Sequence, residues 1–321
     1  MRCGRYVVAL TLACAWVGPA LAQGYPSKPV HMIVSFTAGS ATDILARTYG
    51  QKLSEMWGQP VVVENRAGAG GTIGEAVVAK TPGDGYTLLV NSAAQAYNPS
   101  IYQNLSFDTT KDFADIAALG GQPNVLVVSP SLGVKTVGEL IALAKQKPGQ
   151  LNYASAGTGS GTHINGEKFK LAAGIDVVHV PYKGSPEALT DTIAGRVTYY
   201  FAPISAALPF VREGKLVAVA VSTAKRSSAL PNVPTVAESG LPGFDYSLWV
   251  GLFAPAGTPP EVIDKIARDV RAASQSADVK ERFATLGAEP MPMTPQEFTK
   301  FVQNEIDESA KVIKAAGIKA Q

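Results

Sequence analysis

Cysteine is close to absent from this chain of 321 residues: only Cys3 and Cys14 occur, both near the start. Beyond that segment no thiol exists to act as a nucleophile, to form a disulfide or to ligate a metal. Histidine is as scarce, with His31, His163 and His179 alone, and their spacing matches no HExxH or other zinc motif. Charge is thin as well, at 17% Asp, Glu, Lys and Arg with a formal net charge of +2. No basic tract is present, so neither nucleic acid nor an anionic membrane surface is an expected partner. Low-complexity tails and internal repeats are missing too, and no apolar run reaches the ~20 residues that a bilayer requires.

The first thing present is a leader. Arg2 and Arg5 precede an apolar stretch from Tyr6 to Val17, followed by Gly18-Pro19 and Ala20-Leu21-Ala22. That order predicts a secretory signal peptide over residues 1–22, cleaved after Ala22. It holds both cysteines and two of the 28 basic residues, which leaves the mature chain balanced against its 26 acidic ones. The remaining ~300 residues, 46% of the whole being hydrophobic, are more than most single domains use, and two lobes are expected.

Hydrophobic periodicity gives the rhythm. Residues 30–36 read as a buried strand, 42–57 as an amphipathic helix, and 61–64 and 86–90 as strands. Residues 124–129 form an apolar strand, and 136–146 a helix stopped by Pro148-Gly149. Strand 151–155, a helix from 162, strand 177–180, helix 185–194 and strand 197–201 continue the alternation, and residues 260–274, 277–286 and 295–316 read as helices. Residues 112–120 fit neither period. Such alternation predicts an α/β fold, each lobe a mainly parallel sheet flanked by helices.

In such sheets ligands bind beyond the carboxyl ends of strands, where the next helix offers unpaired amides and the positive end of its dipole. Two loops answer this description: Phe36-Thr37-Ala38-Gly39-Ser40-Ala41-Thr42-Asp43 after the first strand, and Ser155-Ala156-Gly157-Thr158-Gly159-Ser160-Gly161-Thr162 after the strand ending near Ala154. Small residues let the backbone approach a ligand and hydroxyls orient it, so the pair points to an oxyanion, above all a carboxylate. Turn and cap chemistry uses the same residues. His163 is either a ligand contact or a first-turn residue bonded to backbone, and Asp43 with Arg47 is also an ordinary i,i+4 helix pair.

Other chemistries lack their motifs. Gly157-Thr158-Gly159-Ser160-Gly161 has no Lys-Ser/Thr to complete a P-loop, and Gly68-Ala69-Gly70-Gly71-Thr72-Ile73-Gly74 misses the GxGxxG register by one residue. Ser160 has Thr158 and Thr162 where a nucleophile elbow needs glycines. No enzyme, cofactor or metal is expected; a dispersed Ser/His/Asp triad, and with it a periplasmic hydrolase, stays as a lesser alternative.

Tyr25-Pro26-Ser27-Lys28-Pro29-Val30, Phe36 through Arg47, Glu64 through Gly71, Asp84-Gly85-Tyr86-Thr87-Leu88-Leu89, Asn152 through His163, Pro181-Tyr182-Lys183-Gly184, Val233-Pro234-Thr235 with Glu238, and Gly251 through Pro259 occur in this order. Together they resemble the Bug family, the substrate-binding receptors of tripartite tricarboxylate transporters, over essentially the whole mature chain. The resemblance implies a two-lobed periplasmic binding protein of Venus-flytrap type that captures a small organic carboxylate and delivers it to membrane permease subunits. A sensory receptor for a two-component kinase would use the same clamp. The resemblance further implies ligand contacts at Phe36, Thr37, Ala38, Gly39, Ser40 and Asp43, then Ser155, Thr158, Gly159, Ser160, Gly161 and His163, with Asn91 and Ser92 as a further wall. The lobes then comprise residues 23–123 with 247–321, and 124–246, in a monomer.

Three positions depart from the family pattern. Ser40 stands where a second glycine is usual, and Ala67 where proline is common. Ala202 stands where many relatives carry an aspartate able to receive an ammonium group, which favours a plain mono- or dicarboxylate over an amino acid. The neighbouring Tyr199, Tyr200 and Phe201 read either as strand core or as part of that wall.

Overall fold

The computed structural model describes residues 24–318; the leader predicted over residues 1–22 lies outside them. Three strands with two intervening helices build the first sheet region: β1 (Val30–Val34), α1 (Ala41–Trp57), β2 (Val61–Asn65), α2 (Thr72–Val78) and β3 (Thr87–Ser92). α3 (Ala94–Ile101) and the long β4 (Phe113–Val128) follow. Next come α4 (Val137–Gln146), β5 (Asn152–Ser155), α5 (Gly161–Ala173), β6 (Val178–Pro181), α6 (Ser185–Ile193), β7 (Tyr199–Pro203), α7 (Ile204–Arg212) and β8 (Val217–Val221). The chain returns through β9 (Ser247–Pro255) and ends in α8 (Pro260–Gln275), α9 (Ala277–Leu286) and α10 (Pro295–Ala315).

The strands run in the order β2-β1-β3-β9-β4-β7-β5-β6, with β8 also on β4. β1 pairs in parallel with β2 and β3, and β5 in parallel with β6 and β7. The crossing strands are antiparallel to their neighbours. β4 explains why residues 112–120 escaped a period: it is one strand of 16 residues, buried on both faces, that changes partner midway. Its first part, to Pro123, pairs with β9, where Pro123 faces Ser247; from Asn124 it pairs with β7 and β8.

Period-two alternation distributes β9 between two cores. Val250, Leu252 and Ala254 pack toward α1 and α8 with Leu45, Tyr49 and Ile266, whereas Trp249 and Phe253 pack toward α10 with Phe298. A third core holds Val125, Val127, Tyr200 and Ala202 under α6 and α7. Tyr199, Tyr200 and Phe201 are all fully buried, so the aromatic run is strand core.

Candidate functional site

The two loops singled out by sequence are copies of one turn. Gly39 (φ 81°) and Gly159 (φ 83°) take the left-handed conformation that glycine alone adopts without strain. Ser40 and Ser160 follow as N-caps of α1 and α5, and each hydroxyl accepts the amide three residues on, from Asp43 and His163 respectively, at 3.3 Å. Such a cap is worth ~1 kcal/mol. The third helical side chain then reaches back: Asp43 Oδ2 accepts the Gly39 amide at 2.9 Å, and His163 Nδ1 accepts the Gly159 amide at 3.2 Å.

These loops meet over a small cavity of ≈ 20 Å³, about the room of one water. Ser40, Ala41 and Thr42 line it from the start of α1, and Ser160, Gly161 and Thr162 from the start of α5. Ser92 stands before α3, Ser185 opens α6 and Pro203 precedes α7, so five helices begin around one point. Phe36, Ala156 and Leu248 supply the apolar remainder. Among the described residues no charged side chain lines this cavity. First-turn amides lack intrahelical acceptors, and aligned helix dipoles place partial positive charge at each end. The arrangement is chemically fitted to an anion held by neutral donors.

Of the residues expected to touch ligand, Phe36, Ser40, Ser92, Ser160 and Gly161 line the cavity. The others are near it but engaged elsewhere. Thr37, Ala38 and Gly39 do not line the cavity: Ala38 and Gly39 are exposed, and the Thr37 side chain meets Gly184 and Glu187. Asp43 is buried, but its carboxylate is taken by the Gly39 amide, Arg47 and Asn65. Asn91 turns beneath the sheet, where it accepts from Ser35 and donates to Glu75 and Gln95. Ala202 is buried in the core beside the lining Pro203. Thr158 and Gly159 form the lip of the cleft: the Thr158 carbonyl accepts the Tyr102 hydroxyl at 2.8 Å.

His163 is the brace described above, and its ring stacks on His179 with centroids 3.9 Å apart. Burial, reinforced by the Lys170 charge, lowers its pKa to about 4. Burial likewise lowers that of His179 to about 3, with further contributions from His163 and Lys170. Both rings are neutral at ordinary pH. Ser155 Oγ lies 2.6 Å from His179 Nε2, but the serine is fully buried and lines no part of the cavity. The Ser160 hydroxyl meets the His163 amide and the Thr162 hydroxyl rather than an imidazole.

Ala41, Thr42, Ala156 and Thr162 lie in the two loops singled out by sequence but are not among the ligand contacts expected there, and neither are Ser185, Pro203 and Leu248. Aligning Gly39-Ser40-Ala41-Thr42-Asp43 with Gly159-Ser160-Gly161-Thr162-His163 would have found the two threonines. Ser185 follows the quoted Pro181-Tyr182-Lys183-Gly184; Leu248 carries no local signal.

The facing walls also touch directly. A Cβ on Gly70 would overlap the Thr158 main-chain oxygen, and one on Gly184 would overlap the Thr37 side chain. Thr37 Oγ1 lies 3.4 Å from Glu187 Oε2.

Residues 45–318 match the family of tripartite tricarboxylate transporter family receptors. Protein BugT of Bordetella pertussis is 38% identical over 316 residues, 98% of this chain and 97% of that protein. A structure of an R. palustris protein with adipate is 36% identical, covers 92% of this chain and 100% of its own, and superposes with a TM-score of 0.90. MatC from Rhodopseudomonas palustris with bound malate is 33% identical over 90% of this chain and 100% of its own, with a TM-score of 0.85.

Proposed function

This chain belongs to the tripartite tricarboxylate transporter receptor family, and from that membership we propose that its cleft captures a small organic carboxylate in the periplasm, closes over it and delivers it to membrane permease subunits. The observation that carries the proposal is the convergence of helix N-termini and hydroxyls on one uncharged cavity. Residues 23–123 with 247–321 form one lobe and 124–246 the other, acting as a monomer. The change of partner along β4 at Pro123 and Asn124, opposite the return of β9 at Ser247, supports that division.

A cavity of ≈ 20 Å³ belongs to a closed cleft. Ligand enters when the lobes part, and closure removes water and strengthens each amide contact to the anion. Ser40, Thr42, Ser160 and Thr162, with the α1 and α5 amides, hold the carboxylate. Adipate and malate, named for the two similar structures, are both dicarboxylates. Ala202 offers no acid to an ammonium group, and a plain mono- or dicarboxylate is the ligand class.

Isothermal titration of the purified protein with adipate, malate and a set of amino acids tests this. A dicarboxylate should bind, and Thr162→Val with Ser160→Ala should weaken it. Tight binding of an amino acid, or affinity for no organic acid, overturns the proposal.

A further inference from the structure

On the opposite face of β9 from the ligand cleft lies a second, larger cavity of ≈ 370 Å³. Leu248 lines the cleft, whereas its neighbours Ser247 and Trp249 line this one. Its walls come from both sheet regions: Lys168 projects from α5 and Glu305 from α10. These two side chains carry opposite charges, yet among the described residues neither is within salt-bridge distance of an opposite charge. Lys168 Nζ donates to the Asp245 main-chain oxygen at 2.8 Å and sits over the Tyr246 ring. Among the described residues Glu305 accepts only the Trp249 indole, at 2.9 Å. Of the two other acids on this wall, Glu308 is already paired with Lys311, and Asp245 accepts the Ala224 amide at 2.9 Å. Burial lowers the pKa of Lys168 and raises that of Glu305, and the attraction between the two across the cavity, with that of Asp245 for Lys168, offsets it only in part.

We propose that Lys168 and Glu305 are positioning residues that set ligand affinity through the hinge, meeting as an ion pair when the cleft opens. Rotation about β4 and β9 that widens one face of the crossing strands narrows the other, and carries α5 toward α10. The pair then exists in the open form alone and opposes closure. Apparent affinity scales with the fraction of protein in the closed form. Removing the pair therefore raises that fraction and tightens binding without touching the ligand. The inference rests on the carboxylate-receptor reading above for its affinity readout, and on nothing but the hinge for its shape readout.

The test uses Glu305→Gln, which still accepts from Trp249, and Lys168→Gln, together with the exchanged pair Lys168→Glu with Glu305→Lys. Solution scattering of each ligand-free protein, and titration with adipate and malate, are the measurements. Each neutral variant should be more compact without ligand and bind about threefold to tenfold more tightly, and the exchanged pair should return to wild-type shape and affinity. Unchanged scattering in both neutral variants, or an exchanged pair that behaves like them, overturns the inference. If the wild type binds no organic acid while the ligand-free shapes shift as described, the receptor reading fails and the hinge pair stands.

Discussion

Asp43 and His163 occupy the same place in two copies of one turn, each accepting the amide of the glycine four residues before it, at 2.9 and 3.2 Å. A carboxylate does this in one loop and a neutral imidazole in the other. The two loops that line the cavity are thus held from behind by residues that do not line it.

Replacing His163 by Ala should therefore weaken carboxylate binding by about 1–2 kcal/mol, roughly tenfold, because the Gly159 amide loses its buried acceptor and the loop loses its fixed shape. His163→Asn should retain most affinity, since Asp43 shows that a side chain of that length reaches the glycine amide from this position. Titration of both variants with the best ligand checks it. Equal losses would mean that the ring itself matters.

Acid should destabilise the protein through the same stack. The unfolded chain takes up protons at histidine near pH 6.5, while folded His163 and His179 resist until about 4 and about 3. Depressed folded values mean that stability is complete above pH 6.5 and is lost as pH falls toward 4, by at most about 1.4 kcal/mol per unit per histidine. Urea unfolding across that range should show this slope. It should fall by close to half in His163→Asn.

The strands and helices of residues 30–65 and 151–203, the strand near 86–90 and the three terminal helices were legible because apolar runs or amphipathic faces are bounded by turn residues; β1 and β7 are buried on both faces and still read as strands. Elements with no period of their own, or with turn residues inside them, were not. α3, Ala94-Gln95-Ala96-Tyr97-Asn98-Pro99-Ser100-Ile101, carries no charge and contains a proline, and six of its eight residues are buried, so no amphipathic period exists to read. β4 runs through Gly120-Gly121-Gln122-Pro123, which reads locally as a turn and is kept extended only by β9 and β7. The candidate site divides the same way. Ser40 and Ser160 announce themselves as caps, and the glycine amides that Asp43 and His163 brace are only four residues away, whereas the links of Asp43 to Asn65, Asn91 to Glu75 and His163 to His179 join partners distant in sequence.

Glu75 should prove to be a liability at neutral pH. It is fully buried, its pKa is pushed by burial up to about 8 against the opposing amides of Asn98 and Asn91, and Oε2 has no partner among the described residues. A raised folded value means that stability is complete below the unfolded value near 4.5 and is lost as pH rises through 8. Glu75→Gln keeps the shape, abolishes the titration and adds a donor beside Asn98 Oδ1, which also lacks a partner. The variant should gain about 1–3 kcal/mol at pH 8 and little at pH 4.5. Thermal unfolding at both pH values checks this; an equal change at the two would exclude ionisation as the cause.

Closure itself can be blocked at Gly70. Its φ of 62° already disfavours a side chain, and a Cβ there would strike the Thr158 carbonyl, which is backbone and cannot swing aside. Gly70→Ala should fold, at a cost of about 1 kcal/mol, yet lose at least about tenfold in affinity because the lip containing the Tyr102–Thr158 bond cannot seat. Gly184 offers the contrast. Its backbone is extended, and the atom a Cβ would meet belongs to the Thr37 side chain. Gly184→Ala should weaken binding only modestly, and adding Thr37→Ala should restore it, whereas no single side-chain trimming should restore Gly70→Ala. Titration of the three variants, with scattering on the ligand-bound forms, decides the matter: a Gly70→Ala protein that compacts normally on adding ligand would show that these loops do not meet during closure.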